Sequence, residues 1–188
     1  MFIDIEKVIP GVVVEVIYAT DQNFAGRAVY PVARCFLRPK VAQKVKKVQE
    51  ALREKGFQLK IFDGYRPLSV QKIFWSLVPD DRYVAPPDKG SKHNRGAAVD
   101  VTLLDLQGNE LVMPSLFDEL NHKAHRDFMD CSLEAIQNRS ILEEAMKKEG
   151  FIPLPTEWWH FDDEEWATYP IEDISLESLC ECIPKQVL

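Results

Sequence analysis

The alternation of apolar and polar positions divides the chain into short strands and a few amphipathic helices. Val12 to Tyr18 reads as a strand. Val41, Val45, Val48 and Leu52 recur at helical spacing, so a helix is predicted over 41–55, stopping at Gly56. Residues 57–62 alternate and predict a strand that runs into Asp63-Gly64-Tyr65-Arg66-Pro67. A second helix is predicted over 68–77, with Pro67 near its first turn. Pro79, Pro86, Pro87 and Gly90 make 78–90 a loop. Residues 97–104 and 110–112 are strand-like around a Gln107-Gly108-Asn109 turn. Helices are predicted over 121–130 and 139–148, the latter ending at Gly150. A break at 151–155 precedes a short strand over 158–161. The expected class is α+β: a single compact domain, with a central antiparallel sheet flanked by helices. It is expected over residues 1–170, with 171–188 as a loosely packed C-terminal tail on or extending from it.

Composition narrows the picture. A chain of 188 residues buries a core without staples. The net charge of −7 argues against nucleic acid or an anionic membrane as partner. No apolar run is long enough to span a bilayer. Met1 to Lys7 is acidic where a secretory signal needs a basic start and an apolar run, so a cytoplasmic location is expected. Cys35, Cys131, Cys180 and Cys182 are too few and too scattered for a disulfide framework. Cys180-Glu181-Cys182 also lacks the spacer of common zinc motifs, so reduced thiols are expected.

The candidate chemistry lies in two short strings. His93 and Asp100 stand in Ser91-Lys92-His93-Asn94-Arg95-Gly96-Ala97-Ala98-Val99-Asp100, and Glu157 and His160 in Glu157-Trp158-Trp159-His160. Two imidazoles and a carboxylate can hold zinc with a position left open for water, and a second carboxylate can take a proton from that water. On one continuous strand, His93 and Asp100 would point to opposite faces more than about 20 Å apart. They can share an ion only if the chain folds back between them, and Gly96 permits such a turn. His93 is therefore expected on an approach loop and Asp100 on the strand after it. Glu157 and His160 converge if their segment bends near Pro155. His122 and His125 lie three apart on a predicted helix, but nothing nearby completes a ligand set.

At these residues the chain resembles the zinc D-Ala-D-Ala dipeptidases, whose signature Ser-x-His-x-x-Gly-x-Ala-x-Asp and Glu-x-x-His it repeats. Tyr18-Ala19-Thr20, Asp63 to Pro67, Phe117-Asp118 and Gln137-Asn138-Arg139 resemble dipeptidase strings in the same order. More distant relatives include D,D- and L,D-carboxypeptidases and the hedgehog signalling domain. The resemblance implies a hedgehog/D,D-peptidase-like fold and one zinc held by His93, Asp100 and His160. It implies Glu157 as general base, Arg66 beside the reacting carbonyl, and Tyr18, Ser91 and Asp118 on the dipeptide, with Asp118 facing its ammonium. On the residues alone, Arg66 fits a salt bridge to Asp63, Asp118 a helix cap, Ser91 a loop serine and Tyr18 a half-buried strand tyrosine. Tyr30 is a further candidate near substrate. The implied activity is hydrolysis of a small dipeptide; a carboxypeptidase on cell-wall peptides and a non-catalytic zinc-binding module are the alternatives. The oligomeric state is open.

Overall fold

The computed structural model describes residues 1–181. Among the described residues seven strands and four helices form: β1 (Ile3–Asp4), β2 (Val13–Val14), β3 (Phe36–Leu37), α1 (Pro39–Arg53), β4 (Phe57–Asp63), α2 (Leu68–Leu77), β5 (Ala98–Asp105), α3 (Leu133–Lys148), β6 (Phe151–Pro153), β7 (His160–Asp163) and α4 (Leu176–Glu181). Five strands make one sheet in the order β2-β4-β5-β7-β6. Its pairings are antiparallel except for the edge pair β2–β4, which is parallel. β1 and β3 form a separate antiparallel pair.

Alternation along the central strands separates core from chemistry. Val99 stands opposite Phe161, and Val101 opposite Ile61; with Leu59 and Leu103 they are fully or almost fully buried. Val41, Val45, Val48 and Leu52 line the buried stripe of α1, and α1 packs on β4. α3 packs on β6 and against α1, so two helices cover part of the sheet side by side. The alternate residues carry the polar set: Asp100 stands opposite His160, and Ala98 opposite Asp162. Register slips by one residue in β4, so that Asp63 rather than Phe62 stands opposite Asp100. This bulge gives Asp63 the face of Asp100, where unbroken alternation from Ile61 would have placed it on the opposite one.

Several predicted elements are shortened or moved. The predicted strand 12–18 pairs only at Val13–Val14, and Ile17–Ala19 form a turn of 3-10 helix. The predicted 110–112 strand reduces to one bridge between Glu110 and Leu104. The helix predicted over 121–130 is instead a short 3-10 turn, His122–Ala124; His125 is already extended, and Arg126 N–H donates to the Pro155 carbonyl. α3 begins six residues earlier than predicted, because Ser132 caps it by accepting from Ala135 N–H at 3.1 Å. The predicted strand over 158–161 forms instead at His160–Asp163.

Residues 172–176 are tied to the domain by specific contacts. Tyr65 exchanges two hydrogen bonds with Ile174, Glu172 pairs with Arg38 at 3.1 Å, and Asp173 accepts from Ser69 N–H at the start of α2. Leu176 is buried. Cys35, Cys131 and Cys180 are free thiols, and Cys182 lies outside the described residues. Among the described residues no helix is long and apolar enough to cross a membrane.

Candidate active site

His93 sits in a 3-10 turn, His93–Arg95, closed by Gly96 at φ 66°. A Cβ at Gly96 would stand 2.3 Å from the Phe2 ring, so both the left-handed backbone and the close packing call for glycine. The chain folds back there, and two residues later β5 carries Asp100 towards the same point. His160 opens β7 opposite Asp100, and Glu157 lies on the bend just before it. The bend is closed by Leu154 N–H donating to the His160 carbonyl at 3.2 Å.

His93, Asp100 and His160 present donor atoms within 4.8 Å of one another, all buried. Hydrogen-bond partners assign each ring its tautomer. His93 Nδ1–H donates to the Gly64 carbonyl at 2.6 Å, and His160 Nε2–H donates to Asp162 Oδ1 at 2.9 Å. The other ring nitrogens, His93 Nε2 and His160 Nδ1, face each other at 3.1 Å. Asp100 supplies Oδ1 at 3.0 Å from His160 Nδ1 and Oδ2 at 3.3 Å from His93 Nε2. Two ring nitrogens and a carboxylate converge on one buried point that a shared proton or a cation can hold, so the donor set fits a divalent metal, and its N2O composition fits zinc. Burial alone would raise the Asp100 carboxyl, but the two imidazoles hold it well below the usual carboxylate range. Burial alone would lower His160; Asp162 and Asp100 outweigh it and push the ring up to about 10.

Asp162 is a residue that sequence reasoning missed. Its signal was available: two positions after a histidine in a strand, a carboxylate shares the histidine's face. Its other oxygen lies 3.4 Å from Lys92 Nζ. Asp162→Asn is expected to weaken zinc binding about 10- to 100-fold, the usual effect of removing an outer carboxylate from a ligating histidine. Competition against a chromogenic chelator measures this, and wild-type affinity would remove Asp162 from the metal site.

Glu157 is buried beside the set, 3.8 Å from His160 Nδ1. Burial pushes its carboxyl up to about 8; Asp100 and Asp118 push the same way, and His160 opposes. Positive charge on the three donors would favour the carboxylate form. Arg66 donates from Nε and Nη2 to Asp63 Oδ2, at 3.1 and 2.8 Å, and from Nη1 to Gln71 at 3.0 Å. Its Nη2 is also 4.0 Å from Asp100. The guanidinium is thus fixed by a salt bridge and aimed at the cavity at once. Tyr30 is spent on Asp63, at 2.9 Å, away from the cavity lining.

Asp118 caps no helix. It holds φ 60°, and among the described residues it is the only non-glycine at positive φ. Such backbone costs on the order of 1–3 kcal/mol and persists where surroundings impose it. Oδ1 accepts from Tyr18 OH at 2.9 Å, while Oδ2 is buried with no partner. Burial, and then Asp100, push the Asp118 carboxyl up to about 7. Tyr18 is buried, and Ser91 accepts from His93 N–H at 3.2 Å. Of the two tryptophans, Trp159 lines the cavity, whereas Trp158 packs in the core and donates to Ser115 at 3.0 Å.

Tyr18, Arg66, Ser91, Asp118 and Glu157 line one cavity with His93, Asp100 and His160, about 140 Å³ in volume. Pockets for drug-sized ligands run to roughly 300–1,000 Å³, so this one suits a small substrate. Of the remaining sequence candidates, His125 pairs with Tyr83 OH at 3.2 Å and His122 packs edge-on against Phe128; neither joins a ligand set among the described residues.

A family model described as D-Ala-D-Ala dipeptidase matches residues 1–176. The chain is 36% identical over 169 residues to the D-alanyl-D-alanine dipeptidase of Escherichia coli, covering 90% of this chain and 88% of that one. It is 32% identical over 184 residues to the D-alanyl-D-alanine dipeptidase of Enterococcus faecium, covering 85% and 90%. Among solved structures it is similar to a vancomycin-resistance D,D-pentapeptidase, VanY, in complex with Zn(II), with a TM-score of 0.47 and 16% identity over 69% of this chain and 73% of that one.

Proposed function

The chain belongs to the D-Ala-D-Ala dipeptidase family of peptidases, and from that premise we propose that it hydrolyses the D-alanyl-D-alanine dipeptide to two molecules of free D-Ala, using one zinc ion. The observation that carries the dipeptide reading is Asp118: a half-buried residue at strained φ whose Oδ2 is buried and unpartnered, in the same small cavity as His93, Asp100 and His160.

His93, Asp100 and His160 would hold the zinc. When bound, zinc supplies Lewis acidity, polarising a carbonyl and making water acidic enough to ionise near neutral pH. Glu157 takes the proton of the attacking water and returns it to the leaving amine. Arg66 stands ready for the negative charge that develops on the carbonyl oxygen, and its bonds to Asp63 and Gln71 remove the need to reorganise when that charge appears. Trp159 walls the cavity and keeps bulk water from weakening these interactions. Water is added across one peptide bond, so the new carboxylate stays with the first residue and the amine leaves with the second.

Asp118 selects the substrate. A dipeptide has a free ammonium beside its scissile bond, and an acylated precursor has a neutral amide there. The ammonium neutralises the buried carboxylate, and Tyr18 orients it; an amide leaves it unpaired, which is costly. Ser91 lines the same cavity and is placed to contact the dipeptide. Zinc-loaded protein is expected to cleave D-Ala-D-Ala, to lose activity in chelator and regain it with zinc, and to reject N-acetyl-D-Ala-D-Ala. Asp118→Asn is expected to narrow that gap at least about tenfold, mainly by raising KM for the free dipeptide. No turnover of the free dipeptide would sink the reading, and equal turnover of both substrates would transfer the protein to carboxypeptidase chemistry. A cytoplasmic location suits a free dipeptide and is part of this reading.

A further inference from the structure

The bend that carries Glu157 and His160 is bonded within itself by long contacts, Leu154 N–H to the His160 carbonyl at 3.2 Å being the shortest. Glu157 N–H reaches the Leu154 carbonyl only at 3.4 Å, and His160 N–H reaches the Glu157 carbonyl only at 3.4 Å. Shorter bonds come from outside. We propose that Arg126 is a positioning residue for the active site, its guanidinium clamping both ends of residues 154–160 and so setting where Glu157 and His160 stand. Arg126 Nε donates to the Leu154 carbonyl at 2.8 Å, and Nη2 donates to the His160 carbonyl at 2.8 Å. Its backbone N–H donates to the Pro155 carbonyl at 3.0 Å, and two residues earlier the Ala124 carbonyl accepts from Trp158 N–H at 2.9 Å. Nη1 faces Glu143 of α3 at 3.1 Å, and the guanidinium lies 4.4 Å from the centre of the Phe161 ring.

The chemistry suits arginine and not lysine. A rigid planar fork can span two carbonyls six residues apart while its third nitrogen keeps a carboxylate. A single ammonium cannot hold the same three partners in that geometry. The side chain is 11% exposed and is not part of the cavity lining, so it acts on the reaction only through the bend. Glu143 anchors the charge to α3 without touching the bend, which separates holding the fold from aiming the site.

The inference rests on the roles proposed for Glu157 and His160. Full-length wild type, Arg126→Gln, Arg126→Lys and Glu143→Gln are compared for dipeptide kinetics, Tm, zinc affinity by chelator competition, and the visible spectrum of the cobalt-substituted protein. Arg126→Gln is expected to lower kcat about 10- to 100-fold, to weaken zinc affinity about tenfold and to shift the cobalt bands, with KM within about twofold. Arg126→Lys is expected to recover only part of each effect. Glu143→Gln is expected to lower Tm but leave kcat and zinc affinity within about twofold of wild type. A folded Arg126→Gln with wild-type kcat and cobalt spectrum overturns the proposal. So does a Glu143→Gln protein that loses as much kcat at a matched fall in Tm. Should Arg126→Gln not fold, Arg126→Lys decides: kcat and cobalt bands identical to wild type overturn it. Wild type that neither binds zinc nor turns over dipeptide overturns the underlying reading instead.

Discussion

Glu157→Gln is expected to abolish useful turnover while zinc stays bound. A positioned general acid–base contributes about a hundred- to ten-thousand-fold, and Gln keeps the shape of Glu while losing the proton-accepting charge. The three donors His93, Asp100 and His160 are untouched, and Glu157 lies beside rather than among them. Zinc content after gel filtration should therefore stay near one per chain as kcat collapses. The substitution also removes a buried carboxyl that burial and the neighbouring Asp100 and Asp118 disfavour as an anion, so stability should hold or rise. Less than a tenfold loss of kcat in zinc-loaded protein would remove Glu157 as the base.

Arg66→Ala is expected to damage both chemistry and fold. Removing one fixed donor from a developing oxyanion costs about 10²–10³ in kcat. The same truncation leaves Asp63 buried with Tyr30 as its remaining side-chain donor, and opening a buried pair from one side costs about 3–5 kcal/mol. For a chain of this size that is a fall in Tm on the order of 10 °C. Arg66→Lys should recover part of the stability and little of the rate, because an ammonium cannot bond Asp63 and Gln71 as the fork does. Calorimetry and kinetics at a temperature where both variants are folded separate the two effects. A normal kcat in folded Arg66→Ala would leave the arginine with the salt-bridge role alone.

Elements with strong local patterns were legible in the sequence. The apolar stripe of α1, the alternation of β4 and the Pro-marked start of α2 each follow from nearest neighbours. The turn at Gly96 and the bend before His160 could be argued from spacing, since two distant strings can share one ion only if each folds back. Long-range partners were not legible. His122 to Asp130 has helical composition, yet Arg126 and Ala124 spend their backbone groups on the bend at 155–158, and that tertiary demand outweighs propensity. Asp118 precedes a glutamate like any helix cap, and only Tyr18, a hundred residues away, shows its other use. Arg126 belongs to no motif; its value lies in two carbonyls that meet only in the folded chain.

The slip in β4 has a consequence for the width of the cavity. Asp63 keeps station opposite Asp100 and holds the Arg66 guanidinium at the cavity. The supernumerary residue, Phe62, stacks on the ring of Phe117, with centres 4.2 Å apart and planes 16° from parallel. Phe117 is the neighbour of Asp118, the residue proposed to meet the substrate ammonium. One strand therefore bears on two walls of the same cavity, Arg66 through Asp63 and Asp118 through Phe117, as a caliper sets a gap. Lengthening or trimming β4 by a residue would retune that gap while leaving His93, Asp100 and His160 on their own segments.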